Sequence, residues 1–190
     1  GYLLNENRAM ELVEQSMGEA DESRDELLNA FLEFRPDVIA VTSYSAQGQL
    51  LQCWSPGREP KENITQNLSF DLSRAHSSTG SYMSAPHVES IFEGYYPWVV
   101  TMTAPPPQNS SAAWVSLDLS SSSISTYINN VSIGQRGYCF FMDQSGNIVY
   151  HPQQQLLYSG LKSEDTYHLS QLEDGAHADN TVIYSLTSVE

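Results

Sequence analysis

Between Gly137 and Pro152 the chain reads GYCFFMDQSGNIVYHP, and few backbones accommodate that string. Two apolar runs, Tyr138–Met142 and Ile148–Tyr150, flank the polar segment Asp143-Gln144-Ser145-Gly146-Asn147. Aromatic and β-branched residues on both sides of an Asp/Ser/Gly/Asn cluster predict a β-hairpin. Gly146 supplies a positive φ for the turn, and the Asp143 and Asn147 side chains bond to turn backbone. Pro152 has no N–H to donate, so ladder pairing ends there. The same grammar recurs upstream, where Val38–Ser45 and Gln49–Trp54 flank Ala46-Gln47-Gly48.

Helical periodicity precedes these strands. Met10, Val13, Met17, Ala20, Leu27, Leu28, Phe31 and Leu32 recur at mostly three- and four-residue spacings, and Pro36 stops the pattern. Read as one helix over 1–35, the stretch extends roughly 45 Å at 1.5 Å per residue, a spine longer than one small domain. Gly18 and the charge-dense Glu19–Glu26 section are its weak point, with two helices as the alternative. Ser69–His76 reads as a short helix, and Ser81–Ala85, Tyr96–Ala104 and Ala113–Leu119 as strands. Ser120–Ser123 opens a further helix, since serine hydroxyls accept from its first unpaired N–H groups. A polar stretch then runs to Asn180, and Thr181–Ser188 is a last strand. Helix, hairpin, helix and strands appear once in full and begin again. The predicted class is therefore α+β: one unit over 36–132 and a second over 133–190, incomplete at the C-terminus, both carried on the helical spine.

Charge removes several functions. Against 23 acidic side chains stand only 8 basic ones, for a net charge of −15. No nucleic acid is expected as a partner, because such binding needs a Lys/Arg surface that replaces counterions. Ten of the acids lie at or before Asp37 and read as a solvated helix face. Cys53 and Cys139 read as two buried free thiols, with one disulfide between them as the alternative. No apolar run approaches 18 residues, so contact with a membrane would come only through transmembrane helices flanking this sequence. Phosphate-binding glycine loops, nucleophile elbows and metal-ligand spacings are missing, so no catalytic residue, metal or cofactor is predicted. His151, His168 and His177 read as surface or turn residues.

Trp114-Val115-Ser116-Leu117-Asp118-Leu119 stands out. Alternation puts Val115, Leu117 and Leu119 on one face and Trp114, Ser116 and Asp118 on the other. If the apolar face packs on the helices, an aromatic ring, a hydroxyl and a carboxylate share the opposite one. Small-molecule pockets have that mixture of apolar walls and few orienting polar groups. Alternatively, Asp118 caps the helix beginning just beyond it. Tyr82, Ser84 and His87 lie at and beyond a strand end, where connections often carry binding residues. There the bland role for His87 is a hydrogen-bonded turn.

Several strings, taken in order, resemble the double-Cache domain, the extracytoplasmic PAS-like sensor module of bacterial receptors. Gly137–Pro152, with Gln153-Gln154-Gln155-Leu156 and Tyr158-Ser159-Gly160, is similar to the start of the membrane-proximal Cache unit. Ser84-Ala85-Pro86-His87-Val88-Glu89 and Tyr96-Pro97-Trp98-Val99-Val100 resemble the family's middle strands, and Trp114–Leu119 its closing strand. The likeness is nearest to sensor histidine kinases of the YesM/LytS type.

That resemblance implies antiparallel central sheets, a non-enzymatic role and an extracytoplasmic position in a plasma-membrane protein, and it allows a homodimer. It places an unidentified small-molecule ligand in the distal unit. Amino-acid-binding members hold the ligand ammonium on an aspartate of the closing strand, a position occupied here by Asp118. His87 stands where they carry a tyrosine. Phe70 and Tyr44 complete the candidate ligand-binding set of Asp118, His87, Tyr82, Ser84, Trp114 and Ser116. Their Arg-x-Trp-Tyr segment has no counterpart in Leu68-Ser69-Phe70-Asp71-Leu72, so ordinary α-amino acids are not expected as ligands. The rival readings are an extracellular hydrolase using Asp118 with Glu89 or His87, and a structural or dimerisation spacer without ligand.

Overall fold

The computed structural model describes residues 2–190 except 63, 65–69, 79, 130–136, 143–145, 170, 173–174, 180–181 and 187–190. Among the described residues the N-terminal pattern forms two helices, α1 (Tyr2–Ser16) and α2 (Asp21–Phe34), not one spine. The break falls at Met17–Ala20, the weak point around Gly18. Met17, Gly18 and Glu19 donate N–H bonds three residues back, to Glu14, Gln15 and Ser16, each at 3.1 Å. That 3₁₀-type tightening ends α1. Gly18 sits against Asn109, whose amide donates to its carbonyl at 3.1 Å and which a Cβ would approach to 3.2 Å. Ala20 is extended, and Asp21 and Glu22 then occupy the first turn of α2, where the helix dipole favours acids.

The helices bury the stripe read from their periodicity. Met10, Val13, Met17, Leu28 and Leu32 are in the core, with Phe31 packed against it, while Leu27 remains exposed. Arg35 ties the layer together. It donates to both oxygens of Asp37, at 2.8 and 2.6 Å, and to Glu6 of α1 at 2.6 Å.

Six strands form the main sheet: β1 (Val38–Tyr44), β2 (Leu50–Trp54), β3 (Tyr82–Met83), β4 (His87–Val88), β5 (Trp98–Ala104) and β6 (Trp114–Ser120). The order is β2-β1-β6-β5-β3, with β4 also paired to β5, and all named pairs are antiparallel. The strand expected over Ser81–Ala85 is shorter, Tyr82–Met83, and β4 is an unexpected short strand just beyond Pro86, which cannot donate to a ladder. A six-residue helix, α3 (Leu72–Ser77), lies between β2 and β3. Asp71 caps it by accepting from the Arg74 N–H at 3.0 Å. The start proposed at Ser69 lies outside the described residues.

Val115, Leu117 and Leu119 of β6, Val100 and Met102 of β5 and Val41 of β1 form the core with α1 and α2. The opposite face of the sheet is also largely buried. Parallel burial on both sides explains why every residue from Trp114 to Leu119 is inaccessible even though the sequence alternates.

β6 passes directly into α4 (Ser121–Asn129), at the serine run expected to start a helix. Asp118 does not cap it. Next come the hairpin strands β7 (Phe141–Met142) and β8 (Ile148–Tyr150), then α5 (Gln154–Tyr158), α6 (Thr166–Leu169) and the pair β9 (Gly175–Asp179) and β10 (Val182–Leu186). Phe141 faces Tyr150 and Met142 faces Ile148, so the hairpin forms as expected, with residues 143–145 of its turn outside the described set. β9 was not anticipated. The proposed boundary between 132 and 133 also falls outside the described residues. Tyr150 donates to Ser125 of α4 at 3.1 Å, and the Tyr158 hydroxyl donates to the Pro86 carbonyl.

Two sequence readings of this region need adjustment. His151 is buried, not a surface residue: its Nδ1 accepts the Gln153 N–H at 2.9 Å and its Nε2 lies 3.1 Å from Glu164. Cys53 and Cys139 are both free and each is only half-buried.

Candidate functional site

Register determines which side chains share the sheet face away from the helices. Tyr44 pairs with Trp114; Thr42 with Ser116 and Ser116 with Thr103; Ala40 with Asp118 and Asp118 with Thr101. Directly opposed residues project to the same side. Tyr82 extends the second row through Thr103, and His87 enters through Val99. The face therefore carries an aromatic row, a hydroxyl row and a row ending in a carboxylate. Phe70 stacks on Tyr44 with centroids 4.0 Å apart, and His76 meets Trp114 edge-on at 4.8 Å, so α3 and its approach cover the aromatic end.

Between this cover and the sheet lies a cavity of about 270 Å³. Six of the eight candidate residues line it: Tyr44, Phe70, Tyr82, Ser84, His87 and Ser116. Trp114 supports Phe70 from behind, at 5.9 Å between centroids. Asp118 lies one layer deeper. Sequence reasoning missed Asp71, Arg74, Ala85, Thr101 and Thr103, which also line the cavity, as does Glu89, named there only for the hydrolase reading. Thr101 and Thr103 were accessible to the alternation that singled out Ser116 and Asp118, since they share its two-residue period within Val99–Ala104.

A chain of polar contacts leads inward. Ser84 Oγ accepts the Thr101 N–H at 2.9 Å and lies 3.3 Å from His87 Nδ1. His87 Nε2 is 3.3 Å from the Thr101 hydroxyl, which donates to Asp118 Oδ1 at 2.5 Å. Alongside, the Thr103 and Ser116 hydroxyls bond at 2.8 Å. Asp118 Oδ2 and the Thr42 hydroxyl are buried without a hydrogen-bond partner. Unpaired buried polar atoms are uncommon in native proteins, and here two belong to adjacent rows of one face.

Acidity concentrates at the inner end. Glu89 is fully buried, and its Oε1 accepts the N–H groups of Ser90 and Ile91 at 2.6 and 2.9 Å. Its charge acts on Asp118. Burial, and then the Glu89 charge, push the Asp118 carboxyl well above its ordinary range, against the Thr101 hydrogen bond. Burial and the Asp118 charge push the nearby Cys53 thiol up to about 12. At the outer end stands Arg74, its guanidinium 5.0 Å from the Tyr82 ring centre. The cavity lining thus includes both a cation, Arg74, and a buried carboxyl, Glu89. The reason for excluding α-amino acids was the lack of a guanidinium in the segment before Leu72; Arg74, on α3 itself, removes it. No group of His, Cys, Asp and Glu among the described residues is arranged to hold a metal ion.

The overall fold is shared with solved domains. The ligand-binding domain of the Pseudomonas fluorescens chemoreceptor CtaA, in complex with L-serine, superposes with a TM-score of 0.60 at 20% identity, over 82% of this chain and 66% of that one. The fold is that of a chemoreceptor ligand-binding domain. The corresponding domain of the Pseudomonas aeruginosa amino-acid chemoreceptor PctC, in complex with GABA, gives 0.58 at 14% identity over 93% and 78% of the two chains. That of PctB, in complex with L-arginine, gives 0.55 at 18% over 80% and 60%. This chain spans about two thirds of the length of the CtaA domain. These neighbours are ligand-binding domains of chemoreceptors. No protein-family model and no curated relative matches the chain.

Proposed function

We propose that this chain is the extracytoplasmic small-molecule-sensing domain of a membrane receptor, and that its cavity takes a small ligand bearing an ammonium group. One observation carries the ligand reading: Asp118 Oδ2 is buried beside the cavity with no donor, next to a second buried carboxyl. An ammonium supplies both the charge and the N–H groups that this position lacks. Tyr44 and Phe70 form the apolar wall, Ser84, His87 and Ser116 offer orienting polar groups, and Trp114 holds the wall in place. Arg74 suits an anionic group at the ligand's other end, so amino acids belong among the candidates. CtaA and PctC, solved in complex with L-serine and GABA, share this fold.

The motif resemblance supports a sensor histidine kinase of the YesM/LytS type as the intact receptor. The solved neighbours support a chemoreceptor. Sensing is alike in both: a ligand that binds one arrangement of sheet and helices better than another shifts the balance between them. β6 carries Asp118 and packs against α1 and α4, which makes those helices the natural carriers of the shift, between the subunits of a homodimer in either receptor. No described helix is long and apolar enough to cross a membrane.

A thermal-shift screen over amino acids, simple amines, carboxylates and sugars tests the reading. At least one amine-bearing compound raises Tm, and Asp118→Ala removes the shift. Silence across the whole panel refutes the sensor and favours a spacer, while turnover of any compound favours a hydrolase.

A further inference from the structure

His151 is 1% exposed and lies against the rings of Tyr138 and Phe140, whose centres are 5.1 and 5.5 Å from its own. Both of its nitrogens are committed. A backbone N–H can only donate, so Nδ1, which accepts from Gln153 at 2.9 Å, is a bare nitrogen. An ionised carboxylate can only accept, so Nε2, 3.1 Å from Glu164, carries the hydrogen. One form of the ring satisfies both partners, the neutral imidazole protonated at Nε2 alone.

Gln153 is also where α5 begins. Its carbonyl accepts from Leu156 and Leu157 at 3.0 and 3.4 Å. A helix of five residues does not hold itself together in water and depends on such anchors. At the far end of α5 the Tyr158 hydroxyl donates to the Pro86 carbonyl, and the Tyr158 ring lies 5.5 Å from that of Trp98 on β5. Pro86 stands between Ala85 and His87, both of which line the cavity. On one side of it Ser84 donates its N–H to the Thr101 carbonyl at 2.8 Å, and on the other Glu89 donates its N–H to that of Pro97 at 2.9 Å. Tyr158 therefore holds the rim of the cavity from outside the sheet, midway between two ladder bonds.

We propose that α5 is a strap over the rim of the cavity, fastened by neutral His151 and released when Nδ1 of that ring takes up a proton. An imidazolium sets one N–H against another at Gln153, so the first turn of α5 gives way and Tyr158 leaves Pro86. The strap itself needs no ligand; that its release governs ligand entry rests on the sensing role proposed above.

The charges around the ring favour the neutral form. Glu164 is the carboxylate on the Nε2 side, and the oxygen facing His151 also takes the Tyr138 hydroxyl at 2.6 Å and the Lys162 ammonium at 3.1 Å. Lys162 thus already neutralises that carboxylate and opposes a second cation beside it. From α5 the ring meets the Gln153 N–H, and from the hairpin the Tyr138 and Phe140 rings. Burial, outweighing the Glu164 hydrogen bond, pushes the imidazole below its ordinary range. With the folded-state value lowered, the fastened form is fully present above the ordinary imidazole range and is lost as pH falls through the folded-state value.

Imidazole-nitrogen NMR and amide hydrogen exchange of the whole chain, without ligand, test the strap. At about pH 8, the His151 signal, assigned with His151→Asn, is that of the Nε2–H tautomer, and by about pH 5 it is that of the imidazolium. Exchange at Ser84, Thr101 and Glu89, corrected for the intrinsic effect of pH, quickens about tenfold over the same range, as the loss of one hydrogen bond implies. His151→Asn, whose side-chain oxygen still accepts from Gln153 and takes up no proton, abolishes that acid step. Tyr158→Phe, which leaves the ring intact, raises exchange equally in acid and in base while His151 titrates as before. An Nδ1–H tautomer or a ring still neutral in acid overturns the fastening, and an acid step that is missing from the wild type or persists in either variant overturns the release. No compound is added, so failure of the sensor reading and failure of this one are distinguishable.

Discussion

Replacing Arg35 by Met should be among the most damaging single changes in the helical layer. Its guanidinium joins three elements through Glu6 of α1 and through Asp37 at the start of the sheet. Glu6 is fully buried, and its Oε1 already lacks a partner, so Oε2 depends on Arg35. Charge centres roughly 4 Å apart attract by about 4 kcal/mol at an effective dielectric of 20. Removing one member of a buried pair destabilises proteins by about 3–5 kcal/mol, because the other charge remains. The more exposed Asp37 pair adds about 0.5–1 kcal/mol. The expected loss for R35M is therefore ~4 kcal/mol by urea denaturation at neutral pH.

Two controls separate charge from packing. Glu6→Gln in the R35M background should recover most of the loss, since a neutral amide no longer carries a buried charge. The deficit should also shrink as pH falls. Burial holds the Glu6 carboxyl above its ordinary range even with Arg35 present; without it, the folded state takes up a proton still more readily. The penalty is thus full above the folded-state pKa of Glu6 and fades below it. Arg35 hydrogen bonds lower the Asp37 carboxyl, so that stabilisation is present in the wild type above the unfolded pKa and is lost on acidification, narrowing the gap further. A loss under about 1 kcal/mol, a pH-independent deficit, or no rescue by Glu6→Gln would refute the reasoning.

Glycine substitutions test the second hairpin. Gly146 has φ +81° and its added Cβ would lie 2.9 Å from the Thr166 carbonyl oxygen, whereas Gly94 has φ +66° and open space. Gly94→Ala should cost about 1 kcal/mol in urea unfolding, the left-handed backbone penalty alone, and Gly146→Ala at least twice that; equal losses contradict the close approach. At pH 7 a thiol titrating near 12 is roughly a hundred-thousandth ionised, so Cys53 should resist iodoacetamide in the folded protein and react promptly in urea. Fast labelling of native Cys53 would contradict its half-buried, acid-flanked setting.

Features carried by local periodicity were readable before the structure. Val115, Leu117 and Leu119 face the helices because strict alternation leaves no other assignment, and Ser116 and Asp118 follow. The hairpin at Gly137–Pro152 was legible because its turn residues and strand residues agree. What escaped depends on long-range packing. Glu89 enters the site because its side chain folds back onto the N–H groups of Ser90 and Ile91, which no spacing announces. Arg74 reaches the cavity only because α3 lies across the sheet, on a segment read merely as a short helix. β9, Gly-Ala-His-Ala-Asp, lacks β-branched and aromatic residues, and pairing with Val182–Leu186 supplies what its composition does not. His151 was misplaced because an imidazole between tyrosine and proline gives no sign of the Glu164 that pairs with it.

The central position of β6 also governs how the chain assembles. β1 meets its inner neighbour only after a long excursion, for seventy positions separate Tyr44 from Trp114. Closing that loop precedes any reward from the contacts it brings, so formation of the sheet is slow relative to formation of the hairpins and helices. Until β6 emerges, the apolar strand Val38–Tyr44 has an open edge, a template for pairing with another chain. During synthesis, β6 is therefore the commitment point. A fragment ending before Trp114 leaves β1 and β5 without the strand that joins them, and should aggregate; one extending through Asn129 contains every strand of the six-stranded sheet.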